Sequence, residues 1–324
     1  MSKHPLYTFI VAHYNQYHYL YTALDSVMRQ DYPNVEVIIV DDGSKVFDKD
    51  EVEGYLNTNK PQNIKSAQVL VNDENVGIVR SLNRALGCAT GSYIQIFAAD
   101  DCLSDEKVAS TFVSEFERPG SQAEAICARA MLADEGLAPT GKYYLGLKAH
   151  RRYNSLDAQG QFQQIAVRCD LSMGSTCARR ELYQRLGPFS ERYRHIEDWP
   201  FFINLIKNNV RINTIDYRAL ERRAGGISQT SWTSDSAFAE AYLDETLTVI
   251  ETEILPHLRT FPLETQRRIF QKYSRRRDAY MKVGGKREEL RLRDFWQYSK
   301  KLVVWQLLPK RQQDPKAHKE ISRK

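Results

Sequence analysis

The chain opens on a short apolar run, residues 6–12, with the pattern of a buried strand, and then turns polar. Leu20, Ala23, Leu24, Val27 and Met28 recur at helical spacing, which predicts an amphipathic helix that Asp31-Tyr32-Pro33-Asn34 breaks. Residues 35–40 are rich in β-branched side chains and close on the turn Asp41-Asp42-Gly43-Ser44. Strand, helix and strand in such a short span begin a parallel sheet. The alternation continues with a weak helix at 46–57 and a third strand at 67–71. A helix at 77–86 carries Val79, Leu82, Ala85 and Leu86 on one face. A fourth strand at 93–98 ends at Ala99-Asp100-Asp101, and a helix follows at 105–117. Residues 1–118 therefore read as an open α/β nucleotide-binding half.

Residues 119–170 are less regular, with several glycines and prolines, a strand pattern at 123–133 and a basic, aromatic stretch at 143–154. Helical patterns return at 178–187 and 199–209, a strand pattern at 210–215, and a strong helix at 233–254 with Thr233 and Ser234 as N-cap candidates. Trp199, Phe201 and Phe202 at the start of the second helix read as core residues, with stacking on a sugar as the alternative. The remainder is helical and basic.

Composition is that of a soluble globular protein, with 42% hydrophobic and 27% charged residues among 324. Apolar runs such as 96–99 and 302–305 fall far short of the ~20 residues a membrane-spanning helix needs, and no signal-peptide pattern opens the chain. Five scattered cysteines without a CxxC argue for reduced thiols in the cytoplasm, against a disulfide framework or structural zinc. The net charge of +5 conceals an asymmetry: residues 259–324 hold 20 Lys+Arg against 7 Asp+Glu, so the preceding body is acidic. The stretch 295–311 sets Trp296 and Trp305 among lysines, which suits either an anionic membrane surface or a terminal helix docked on the body.

The informative chemistry is the position of the acidic pairs. In an open α/β sheet, ligands bind beyond the carboxyl ends of the strands. Asp41-Asp42 and Asp100-Asp101 both stand at such ends. Paired carboxylates repel a bare anion but suit a nucleoside with a hard divalent cation, whose remaining ligands are phosphate oxygens. No GxGxxG follows the first strand, and no GxxxxGK[ST], HExxH or GxSxG is present. Glu197-Asp198 precedes Trp199-Pro200, a pattern that serves equally as a helix N-terminus or as a catalytic carboxylate pair. Arg222-Arg223, followed by Gly225-Gly226, reads either as a basic loop or as a phosphate-contacting segment.

Taken in order, these stretches resemble the family 2 glycosyltransferases. The resemblance rests on residues 9–15, 26–44 with its Asp-Asp-Gly-Ser, 72–86, 91–101, 174–191 and Glu197-Asp198-Trp199, and covers about residues 6–225. It implies an α/β fold of GT-A type, Rossmann-like with a mostly parallel central sheet. The implied domain is 1–225, with a nucleotide-binding half at 1–118 and an acceptor half at 119–225, followed by a helical basic extension at 226–324.

The resemblance also implies site roles. Asp42 would hold the pyrimidine edge of a nucleoside diphosphate sugar, while Ala12, Tyr14 and Asn15 line the base pocket. Gly77 would let the chain pass close to the ribose, with Arg80 nearby, and Ala99 would border the donor. Asp100, with Asp101, would coordinate Mn²⁺ or Mg²⁺. The family often carries Asp-x-Asp at this strand end; here Ala98 stands where the first Asp would be. Asp198 would be the general base, with Glu197 as its orienter. The implied activity is inverting transfer from a nucleotide sugar, a UDP-sugar by expectation, to a hydroxyl of a glycan or lipid-linked acceptor in cell-surface polysaccharide synthesis. The alternative is a non-catalytic relative that binds nucleotide or glycan. A sugar nucleotidyltransferase lacks support because its N-terminal glycine-rich signature is missing, and no nucleic-acid partner is expected because the tail carries no reading motif. The expected location is cytoplasmic, with residues 259–324 peripheral on the anionic inner membrane face.

Overall fold

A computed structural model describes residues 4–224 and 237–285. The chain divides into two compact units, one of residues 1–165 and 169–230, the other of residues 166–168 and 231–324.

The larger unit is built on a sheet with the order β3-β2-β1-β4-β8-β6-β9-β5, with β7 paired to β6. β1 (Tyr7–His13), β2 (Val35–Asp41), β3 (Ile64–Val71) and β4 (Tyr93–Ala98) are mutually parallel. Every residue of β1 and β2 is buried, which is why both read as continuous apolar runs rather than alternating ones. Helices α1 (Tyr17–Met28), α2 (Lys49–Asn59) and α3 (Ile78–Cys88) make the crossovers. α1 turns Leu20, Ala23, Leu24 and Val27 into the core, as its spacing predicts.

Beyond β4 the sheet changes sense. β5 (Cys102–Leu103) leads to α4 (Val108–Glu117), β6 (Ala125–Ala133) and β7 (Pro139–Tyr143). Two helices, α5 (Leu147–Ser155) and α6 (Ala158–Val167), occupy much of the region that reads as irregular in sequence. β8 (Thr176–Arg179) then inserts antiparallel between β4 and β6. α7 (Arg180–Leu186) and α8 (Asp198–Lys207) follow. β9 (Ile212–Arg223) pairs parallel with β6 and antiparallel with β5. It runs eight residues past the end of the 210–215 pattern, so Arg222-Arg223 is strand rather than loop. The sheet is thus parallel in its first half and mixed in its second.

Register decides where the strands end. His13 pairs with Asp41, Ala12 with Ala98 and Asp41 with Val71, so these parallel strands stop at one level. At the opposite end a single carboxylate of β2 ties β1 to the turn that precedes β4. Glu36 accepts hydrogen bonds from Thr8 Oγ1 (2.6 Å), Thr90 N (2.8 Å) and Thr90 Oγ1 (2.7 Å).

In the smaller unit, α9 (Ala237–Val249) runs through a π turn (Ile250–Ile254) and a 3-10 turn (Leu255–Thr260) to α10 (Leu263–Lys282). Leu243, Leu247, Ile250, Ile269, Phe270 and Tyr273 are buried, and Tyr273 Oη donates to Glu251 at 2.8 Å. The first part of the basic tail is therefore a helix with an inward apolar face. Thr233, Ser234 and the stretch 295–311 lie outside the described residues. No helix among the described residues is long and apolar enough to cross a membrane.

Candidate active site

The carboxyl end of β2 is organised by two aspartates with different tasks. Asp41, fully buried, accepts from His13 Nδ1 at 2.6 Å, from Ser44 Oγ at 2.5 Å and from Ser44 N at 3.0 Å. Burial pushes its carboxyl upward, and these bonds outweigh it, holding the group below the usual range. His13 Nε2 accepts the Gln16 N–H at 3.2 Å, so the ring proton sits on Nδ1, facing Asp41. Gly43 has φ +67°, and a Cβ there would lie 2.3 Å from the Glu74 carbonyl carbon, so only glycine lets the turn pass under residues 74–75. Asn15, also at positive φ (54°), donates its N–H to Ser44 Oγ (2.7 Å) and accepts the Lys45 N–H at its side-chain oxygen (3.1 Å). Tyr14 is half-buried beside it, and Ala12 is buried in β1.

Asp42 clamps a segment thirty and more residues away. Its Oδ1 accepts from Asn72 Nδ2 (3.1 Å), Val76 N (2.9 Å) and Ser81 Oγ (2.8 Å), and its Oδ2 accepts the Gly77 N–H at 3.0 Å. Gly77 has φ +92°, and a Cβ there would sit 2.3 Å from Arg194 Cγ. Arg194 in turn donates to Asn75 O (2.6 Å) and Asn75 Oδ1 (2.7 Å). The close approach that the glycine permits is therefore to Arg194. Arg80 is exposed and pairs with Glu191 at 3.4 Å.

After β4, Ala99 N–H donates to Ala12 O at 2.8 Å, fastening the Asp100-Asp101 turn beside β1. Asp100 Oδ2 accepts from Gln16 Nε2 at 3.0 Å, and Asp101 Oδ1 accepts the Arg223 N–H at 2.9 Å. Among the described residues the second oxygen of each has no hydrogen-bond donor. Both residues are at most 9% exposed. Burial, and then the neighbouring Asp100, push the Asp101 carboxyl up to about 7, against the pull of Arg222 and Arg223. Two hard oxygen donors at a strand end fit a divalent cation, whose charge would also favour the ionised form of Asp101.

Arg222 and Arg223, the basic pair already noted in the sequence, are joined here by Tyr144 and Tyr19, which no motif singles out. The β5–β9 pairing sets Cys102 against Glu221, which brings Arg222 and Arg223 beside the acidic turn. Successive strand residues face opposite ways. Arg223 packs its guanidinium 3.8 Å from the Tyr19 ring centroid and donates from Nε to Asp100 O at 2.8 Å. Arg222 covers Tyr144 at 4.6 Å. Burial works against the Arg222 charge, but Tyr144, Asp101 and Asp198 together more than restore it. Asp198 is the first residue of α8 and accepts the Trp199 N–H at 2.6 Å, with Glu197 as the N-cap residue; both are half-buried. Trp199, Phe201 and Phe202 are core residues. Sequence offered Arg222-Arg223 as a basic loop or a phosphate contact and Tyr144 as part of a basic, aromatic stretch, and carried no signal for Gln16 or Tyr19.

Residues 8–186 match the profile of Glycosyl transferase family 2. A PGL/p-HBAD biosynthesis glycosyltransferase of Mycobacterium tuberculosis is 24% identical over 231 residues, 70% of this chain and 80% of that protein. An uncharacterized glycosyltransferase of Haemophilus influenzae is 33% identical over 101 residues, but that match spans only 31% of this chain and 30% of the relative. Among solved structures, Staphylococcus aureus TarS 1-349 in complex with UDP-GlcNAc matches with a TM-score of 0.58 at 18% identity, covering 94% of this chain and 82% of that one. The Pyrobaculum calidifontis mannosyltransferase PcManGT, in complex with GDP-Man and Mn²⁺, matches with a TM-score of 0.56 at 19% identity, covering 87% and 74%. At these identities the structural likeness speaks for the GT-A type fold, and the family match speaks for the activity. The chain belongs to glycosyl transferase family 2 and is a glycosyltransferase.

Proposed function

We propose that the protein transfers a sugar, with inversion, from a nucleoside diphosphate sugar to a hydroxyl of a glycan or lipid-linked acceptor in cell-surface polysaccharide synthesis. One observation carries this reading: Arg222, seated on Tyr144, feels both the Asp101 and the Asp198 carboxylates. Carboxylates assigned to the donor side and to the base side thus act on one cation, which supports a single site for both.

The division of labour follows from the contacts. Asp42 Oδ1 already has three donors, whereas Oδ2 has one and keeps a lone pair for the N–H of a pyrimidine. Ala12, Tyr14 and Asn15 line the base, and the Gly77 backbone and Ala99 border the rest of the nucleotide sugar. Arg80 contributes positive charge at the rim. Asp100 and Asp101 would hold Mn²⁺ or Mg²⁺, which when bound neutralises the leaving diphosphate. Arg222 adds a fixed positive charge to the same end. Asp198 removes the proton from the acceptor hydroxyl; its seat at a helix N-terminus favours the negative charge this needs. Glu197 orients it. A UDP-sugar is the donor this pocket suits, and TarS has been crystallised with UDP-GlcNAc. The basic residues 259–324 draw the protein to an anionic inner membrane face.

A screen of nucleotide sugars with Mn²⁺ or Mg²⁺, reading released nucleoside diphosphate, tests the reading. Release from one donor class, with metal, is expected. Ala98, which withholds a third carboxylate at the end of β4, favours the rival reading of a relative that binds without turnover; binding of donors with no release from any of them would establish that rival.

A further inference from the structure

We propose that the outer face of α5 is a track for an acceptor that carries phosphate groups, such as a phosphodiester-linked chain, leading it to the Tyr144 side of the site. This rests on the sugar-transfer reading above and deepens it by naming the acceptor's chemistry.

Between Gly136 and Leu156 the chain has four cations, Lys142, Lys148, Arg151 and Arg152, and no Asp or Glu, within a body that is otherwise acidic. Lys148, Arg151 and Arg152 stand at i, i+3 and i+4, which puts them on one face of α5. All four are exposed, while His150 and Tyr153, on the opposite face, are buried. None of the four makes a side-chain ion pair among the described residues. Other exposed cations of the same unit do: Lys49 with Glu53, Arg80 with Glu191, Arg118 with Glu115, Arg185 with Glu124.

Like charges at these spacings oppose helix formation, so the stripe works against α5. The helix is nevertheless held firmly on β9. Asn154 Nδ2 donates to Thr214 O (2.6 Å), Thr214 N donates to Asn154 Oδ1 (2.8 Å), and Thr214 Oγ1 donates to His150 O (2.8 Å). Arg211 adds a fifth exposed cation at the far end, donating to Asn154 O at 3.1 Å.

The stripe begins four residues after Tyr144, the residue under Arg222, which a chain spans in at most ~14 Å. An acceptor whose reacting hydroxyl lies at Asp198 would therefore continue along α5. Paired arginine forks match phosphate oxygens, and phosphate keeps its charge at neutral pH, so a phosphate-bearing chain suits the stripe better than a neutral glycan.

Binding of the full chain to short inorganic polyphosphate at low salt tests this. The charge-reversed Lys148→Glu/Arg151→Glu/Arg152→Glu is compared with a control of equal charge change in the tail, Lys300→Glu/Lys301→Glu/Lys310→Glu. The neutral Lys148→Gln/Arg151→Gln/Arg152→Gln serves if the reversal impairs folding. The α5 variant should weaken polyphosphate binding by ~10-fold or more, with a shallower salt dependence, and the tail control by clearly less. Pelleting with anionic vesicles should be unchanged in the α5 variant. An equal loss in both variants would mean net charge alone, and no loss in the α5 variant would overturn the track. Loss on vesicles without loss on polyphosphate would assign the face to a membrane and overturn it also. These binding arms need no turnover, so they stand whatever the donor screen returns.

Discussion

Replacing Asp42 by Asn probes whether this residue acts only on the nucleotide or also holds the site together. The amide oxygen can take the place of Oδ1 and keep its three donors, Asn72 Nδ2, Val76 N and Ser81 Oγ. Its NH₂ must then face the Gly77 N–H, which sits 3.0 Å from Oδ2. Three charge-assisted bonds become neutral at a loss of about 1 kcal/mol each, and one buried donor is left opposed at about 1–3 kcal/mol. Asn escapes the desolvation of a buried carboxylate, which returns part of this. A net loss of ~2–4 kcal/mol is expected, concentrated in residues 72–81. Hydrogen exchange reads it locally: the Val76 and Gly77 amides should exchange roughly 10²-fold faster, since each 1.4 kcal/mol is tenfold. Nucleotide affinity, followed by calorimetry, should fall with and without metal. Wild-type exchange at both amides would refute the clamp, and unchanged affinity would refute the nucleotide role.

Asp198→Asn should leave nucleotide binding nearly intact and lower turnover by ~10²-fold or more; calorimetry and a product assay separate the two, and unchanged turnover would remove Asp198 as the base. Asp100→Ala should abolish the metal-dependent part of nucleotide binding while Asp42→Asn weakens both parts, so identical metal titrations of the two variants would dissolve the distinction. Glu36→Gln should destabilise the larger unit by ~2–4 kcal/mol at neutral pH. Burial pushes the Glu36 carboxyl up, but the bonds from Thr8, Thr90 and Gly91 outweigh it and hold it below the ordinary range. A folded value below the unfolded one stabilises the protein above the ordinary glutamate value of about 4.3 and is lost as pH falls through the depressed folded value. The gap between wild type and variant in urea unfolding should therefore shrink toward acid pH, and a constant gap would contradict the assignment.

Much of the parallel first half of the sheet is legible in the chain itself. The buried runs of β1, β2 and β4, the spacing on α1 and α3, and the turn chemistry at Asp41-Asp42-Gly43-Ser44 are local signals, each decided within a few residues by side-chain direction and permitted φ and ψ. They suffice to put both acidic pairs at strand ends. Other features depend on distant partners. That β8 enters antiparallel between β4 and β6, and that β9 continues to Arg223, follow from pairing between segments roughly 50 to 90 residues apart in the chain. The Arg223 N–H reaches Asp101 over 122 positions, and Gly77 must be glycine because Arg194 crosses it. The charge of Arg222 likewise depends on Tyr144, Asp101 and Asp198, which no spacing rule relates. Residue type and period are properties of a segment, whereas burial, saturation of a carboxylate and the field at a cation are sums over whatever the sheet brings near. For that reason the amino-acid sequence by itself determined the strands, the turns and the candidate acids, and only the tertiary structure decided that Asp42 is a clamp and that Asp101 and Asp198 both act on Arg222.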